Sequence, residues 1–222
     1  MTYERINFTT QDGVVISGDF YSVENPSGYV LLLHMMPAVK ESWQELAKAC
    51  NEAGLSALAI DFRGHGESNT KVDGTKFNYK DFTDEQQQSK ILDIRGAMDW
   101  LRSHGADDEK IAVIGASIGA NLALQYLAEN HKVPTAVLMS PGLDFRGVKT
   151  DESVRKLGAE QSFMCIAALD DKYSYETCRD LDQLTQVRRE NVQLAEAGHG
   201  THMFNEPGLV ARVVEWVKER LK

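Results

Sequence analysis

Apolar runs punctuated by glycine and proline divide this chain into alternating strands and helices. Residues 3–9 alternate moderately, Gln11-Asp12-Gly13 is a turn signal, and residues 14–20 read as the return strand of an antiparallel hairpin. After a break at Pro26-Ser27-Gly28, residues 29–33 are continuously apolar, the pattern of a strand buried on both faces. Trp43, Leu46, Ala47 and Cys50 recur at helical spacing over residues 41–53, and Gly54 stops that helix. Residues 55–60 are a second buried strand, followed by a polar loop to about residue 83. A helix over residues 84–103 carries Ile91, Ile94, Met98 and Leu101 on one face. The pattern then predicts strand 110–116, helix 118–131, strand 136–140, a charged loop over 142–160 with room for one short helix, and strand 163–169. A helix around 175–185, strand 191–196 and a closing amphipathic helix over 207–221 complete the chain.

Strands alternating with helices after an initial hairpin predict an α/β fold, a mostly parallel, doubly wound sheet with helices on both faces. In such sheets chemistry gathers beyond the carboxyl ends of the strands. His34, Asp61, Ser117, Ser140, Asp171 and His199 all fall there.

The most informative stretch is residues 110–126, KIAVIGASIGANLALQY. A β-branched run meets Gly115-Ala116-Ser117-Ile118-Gly119, and helix formers follow at once. The two glycines allow a sharp strand-to-helix turn that leaves the serine hydroxyl pointing outward. G-x-S-x-G alone arises by chance in roughly one chain of this length in thirteen, so the flanking strand and helix carry the weight.

Composition narrows the classes. A length of 222 residues suits one domain, 1–222, and 42% hydrophobic with 26% charged residues is ordinary for a globular chain. A net charge of −9 with no Lys/Arg cluster argues against a nucleic-acid partner. The first residues lack the pattern of a signal peptide, and no apolar run approaches the ~18 residues of a membrane span, so no membrane partner is expected. Cys50, Cys165 and Cys178, sparse and odd in number, are expected as reduced thiols, with Cys165 in the core, and imply a cytoplasmic location. No cluster has metal-ligand spacing, so no metal or other cofactor is expected.

A serine needs a base, and the base an orienting acid, to be a useful nucleophile at neutral pH. Ser117, then an aspartate after strand 163–169, then a histidine in the loop Gly198-His199-Gly200 stand in the order Ser…Asp…His. With Leu31-Leu32-Leu33-His34, the loop Asp61-Phe62-Arg63-Gly64-His65-Gly66-Glu67-Ser68 and the turn at Gly115–Gly119, the chain resembles the α/β-hydrolase superfamily over nearly its whole length. The resemblance implies Ser117 as nucleophile and His199 as base, with His202 the rival. For the acid, Asp170 and Asp171 compete and the family's spacing favours Asp171; Asp144 is a third position used by some relatives. The oxyanion hole is expected from the backbone N–H groups of Ile118 and Met36, with Met35 next in line. His34 and Met35 are placed at the substrate pocket, although the family often has glycine where Met35 stands, and His34 also suits a structural hydrogen bond. Trp43 fits either core or pocket wall.

Serine at the turn implies acyl transfer to water through an acyl-serine. The short stretch 141–162 leaves no room for a large cap domain, so the pocket is expected to be open, walled by Met35, Met36 and parts of loops 62–83 and 142–160. The expectation is a small esterase or thioesterase similar to the dienelactone-hydrolase-like branch, acting on a small-molecule ester. Two alternatives share the same residues: a catalytically silent binding protein, and a carbon–carbon hydrolase or perhydrolase.

Overall fold

The structure, a computed structural model, describes residues 2–222. The N-terminal hairpin forms as expected from β1 (Glu4–Thr9) and β2 (Val14–Tyr21). β3 (Gly28–Leu33), α1 (Gln44–Glu52), β4 (Leu55–Ile60) and the two-residue β5 (Thr70–Lys71) follow. The expected helix 84–103 is two helices, α2 (Asp84–Gln88) and α3 (Ile91–Ser103). Ser89 lies between them, its hydroxyl donating to the Gln86 carbonyl and accepting from Arg63. Leu92 and Asp93 then bond three residues back, to Ser89 and Lys90, rather than four.

β6 (Ile111–Ala116), α4 (Ile118–Glu129) and β7 (Thr135–Met139) match the pattern closely. The 142–160 segment carries more than one short helix: a hairpin of β8 (Asp144–Phe145) and β9 (Val148–Lys149) precedes α5 (Thr150–Val154). Arg146 in left-handed conformation and Gly147 make that turn. β10 (Ser162–Ala168), α6 (Lys172–Gln183), β11 (Arg188–Leu194) and α7 (Leu209–Arg220) close the chain.

The main sheet runs β1-β2-β4-β3-β6-β7-β10-β11, with β5 beside β2. β2 pairs antiparallel with β1 and β4, and every strand pair from β4 through β3 to β11 is parallel. Alternation along each strand separates two cores. Leu31, Leu33 and Val113 face α3, α4 and α6, whereas Val30, Leu32 and Ile114 face α1 and α7. Every residue of β4, β6, β7 and β10 is buried, which is why those strands read as nearly continuous apolar runs rather than alternating ones.

At the end of β6 the chain turns without a spare residue. Ser117 sits at φ 55°, ψ −123°, outside the ordinary L-residue regions. A Cβ on Gly115 would collide with the backbone of Gly119, and one on Gly119 with the carbonyls of Leu33 and His34. Glycine is thus demanded on both sides of the serine by close backbone approach, and Gly119 seats α4 directly against the end of β3.

The cysteine expectation is corrected. Cys165 on β10 and Cys178 on α6 form a disulfide, their Cα atoms 5.7 Å apart, and Cys50 alone is free and buried. An apolar strand and a polar helix in separate elements gave no spacing signal for the pair. The bridge removes the cysteine argument for a reducing compartment. Among the described residues no helix is long and apolar enough to cross a membrane.

Candidate active site

Ser117 and the amide of Ile118 lie where the sheet's carboxyl ends meet the amino end of α4. As the first residue of that helix, Ile118 has no intrahelical acceptor for its N–H, and helix amides favour negative charge nearby. The loop after β3 passes beside this turn, since Gly119 abuts the Leu33 and His34 carbonyls. Met36 is half-buried there and packs against the apolar core that includes Ile118.

What holds this loop is the Asp61–Ser68 segment. Asp61, fully buried, accepts from the Lys40 backbone N–H at 2.9 Å, from Lys40 Nζ at 2.6 Å and from the Glu67 N–H at 3.0 Å. Lys40, 1% exposed, also bonds Glu67. A buried ion pair with this many directed partners serves geometry more than net stability. Here it pins the far end of the loop that carries Met36. Arg63 ties the same segment to Asp12 and Asp93.

Two residues expected at the substrate pocket, His34 and Met35, are buried. His34 is completely buried, its Nδ1–H donating to the Met35 carbonyl and its Nε2 accepting from the Phe62 N–H. Burial pushes its pKa down to about 3, so it is a neutral strut between two loops. Met35 is 6% exposed, with its sulfur against Gly200. Trp43 is wholly buried and packs on Phe204, so it belongs to the core. His65 is likewise buried, stacked on Tyr79 at 3.8 Å.

At the other side of the serine, Asp171 Oδ2 lies 2.7 Å from His199 Nδ1. Burial raises the Asp171 carboxyl, but the hydrogen bond with His199 and the nearby Ser174 and Ser140 hydroxyls outweigh it, and its pKa falls below the ordinary value. Asp170 takes a different part: it accepts from the Ala197 and Gly198 N–H groups and shapes the loop leading to His199. His202 is exposed. Asp144 is also exposed and accepts from the Gly147 N–H within its own hairpin.

The histidine loop packs onto the serine turn through Gly200, where an added Cβ would lie 3.4 Å from Ala116 Cβ. Ser117 Oγ makes no hydrogen bond with His199 in this conformation, so the structure joins acid to histidine and leaves serine and histidine on abutting loops. In unliganded sites such contacts are often long and tighten only on binding substrate. Phe145, on the β8–β9 hairpin, stands edge-on to the His199 ring at 6.5 Å and to Tyr173 at 5.7 Å, forming an aromatic wall. Periodicity over 142–160 is too weak to have shown this hairpin. Beside the Met36 loop, a groove is lined by Pro37, Val39, Gly64, His65 and Tyr79.

Lys90 is a further buried group near this region. It is wholly buried, its Nζ 5.5 Å from the Phe62 ring centroid and without a hydrogen-bond partner. Burial, with Arg63 and Arg146 adding repulsion and Asp93 opposing, pushes its pKa down to about 7. The folded value lies below the unfolded one of 10.5, so the unfolded chain binds more protons between them and stability rises with pH over that window. Lys90→Met is therefore expected to stabilise the fold by about 1–3 kcal/mol at pH 6 and to flatten that pH slope. Denaturant titrations of both proteins from pH 6 to 10 measure it; equal slopes would refute the assignment.

Sheet order, the serine turn and the acid–histidine pair together fit the α/β-hydrolase fold. A family model described as alpha/beta hydrolase fold matches residues 28–163, and the chain belongs to that family. Among curated proteins it is 39% identical over 70 residues to a non-heme chloroperoxidase of Kitasatospora aureofaciens, covering 32% of this chain and 24% of that one. It is 30% identical over 119 residues to a thermostable monoacylglycerol lipase of Bacillus sp. (strain H-257), covering 53% and 42%. The chain spans less than half the length of the curated relatives it matches. Among solved structures, an esterase of Pyrococcus furiosus superposes with a TM-score of 0.75 at 21% identity, covering 100% of this chain and 91% of that one. A dienelactone hydrolase of Anabaena variabilis gives 0.73 at 18% identity, covering 98% and 95%. At these identities the superpositions speak to the fold.

Proposed function

We propose that the protein is a serine hydrolase that cleaves carboxylic esters or thioesters of small to medium acyl groups. The observation that carries this reading is the Asp171–His199 hydrogen bond of 2.7 Å on a loop packed against the strained turn that presents Ser117. Ser117 Oγ attacks the carbonyl carbon while His199 Nε2 takes its proton. The carbonyl oxygen becomes an oxyanion between the Ile118 and Met36 amides, and Asp171 stabilises the imidazolium. Collapse of the tetrahedral intermediate expels the alcohol or thiol, which takes that proton from His199. Water, deprotonated by the same imidazole, then releases the acid and restores Ser117.

Only the β8–β9 hairpin and α5 fill the stretch where a cap would be inserted, which supports an open cleft bounded by Met36, Phe145 and Tyr173. The similarity to a monoacylglycerol lipase fits ester chemistry. The similarity to a chloroperoxidase favours one second reading, a perhydrolase in which peroxide replaces water as the acceptor of the acyl group. Turnover of p-nitrophenyl esters from acetate to decanoate tests the first reading, with activity expected to be highest at the shorter chains. Peroxide-dependent peracid formation exceeding hydrolysis would favour the second.

A further inference from the structure

Ser140 follows β7 and is fully buried, yet it adopts φ 52°, the left-handed region that serine rarely occupies. Such conformations persist where the surroundings over-determine them, and they cluster at functional sites. Two hydrogen bonds account for it. Its N–H donates to the Ile166 carbonyl at 2.8 Å, continuing the ladder towards β10. Its Oγ accepts from the Gly200 N–H at 2.9 Å, the residue directly after His199. The same hydroxyl is among the groups that hold the Asp171 carboxyl below its ordinary pKa.

We propose that Ser140 is a positioning residue, its hydroxyl anchoring the Gly200 amide so that the histidine loop is held in register beside the Asp171 carboxylate. A hydroxyl that accepts from the amide through a lone pair keeps its single proton free to turn towards the carboxylate. The left-handed backbone aims the side chain back at the two loops. The proposal rests on the serine-hydrolase reading for its kinetic consequence but not for its geometric one.

Ser140→Ala and Ser140→Gly both remove the hydroxyl, and glycine accepts the left-handed backbone without strain, so a fold defect in one does not obscure the other. Both variants are expected to lose about ten- to hundredfold in kcat, the equivalent of one hydrogen bond to a charged group, with KM little changed. Without the Ser140 proton the Asp171 charge bears more fully on the imidazole. The acid limb of kcat/KM is then expected to move to higher pH; Asp171 and, through Gly198, Asp170 are the charges that bear on it. Independently of turnover, the proton NMR signal of the His199 Nδ1–H is expected to shift in both variants. Wild-type kcat, pH limb and Nδ1–H signal in Ser140→Gly would overturn the proposal, as would a loss confined to Ser140→Ala, which would trace the effect to backbone strain. A wild-type protein that hydrolyses no ester would refute the hydrolase reading, and the NMR shift would still decide the role of Ser140.

Discussion

Ser117→Ala is expected to lower ester hydrolysis on the order of 10⁵- to 10⁶-fold, the scale on which a hydrolase loses its nucleophile, while leaving the thermal midpoint almost unchanged. The two halves of this prediction have separate causes. Only the hydroxyl is removed, and in the structure Ser117 Oγ makes no hydrogen bond whose loss would weaken the fold. The strained backbone at φ 55° is retained, because alanine is no worse there than serine. The turn itself is held by the Ser117 N–H donating to Met139 O at 2.8 Å and by the contact of Gly119 with β3. Initial rates with p-nitrophenyl acetate and a melting curve on the same purified sample measure both. A variant that folds and retains full activity would remove Ser117 from the reaction.

Asp171→Asn carries the second largest effect. His199 Nδ1–H donates to Asp171 Oδ2, which leaves Nε2 unprotonated to face the serine. An asparagine amide can turn its NH₂ to the ring and select the opposite tautomer, and in a comparable site this costs about 10⁴-fold in kcat. Asp170→Asn keeps a carbonyl oxygen for the Ala197 and Gly198 amides, so a loss of no more than about tenfold is expected from a weakened neutral acceptor. Steady-state rates of the two variants, side by side, test the division of labour between adjacent aspartates. The reverse order would assign the acid to Asp170.

The sequence was legible wherever burial was two-sided. β3, β4, β6 and β10 are nearly continuous apolar runs because helices cover both faces of the sheet, and Gly115 and Gly119 stand out because backbone contact forbids any side chain there. The order Ser117, Asp171, His199 could be read because each lies just past a strand. Contacts made by side chains from distant elements were not legible. Nothing local to Lys40 announces its pairing with Asp61, twenty-one positions away. Nor does the sequence reveal the Cys165–Cys178 bridge, or that His34 spends both ring nitrogens on backbone partners. Ser140 was visible as a residue at a strand end, but its bond to Gly200 spans sixty positions and leaves no periodic trace.

Reaction with a fluorophosphonate probe, followed by digestion and mass mapping of the adduct, tests the central claim most directly. The probe phosphonylates a serine only where a base activates the hydroxyl and amides receive the developing charge. Stoichiometric labelling confined to the peptide bearing Ser117, and suppressed in His199→Ala, is the predicted result. An unlabelled wild-type protein, or an adduct on another residue, would contradict the account.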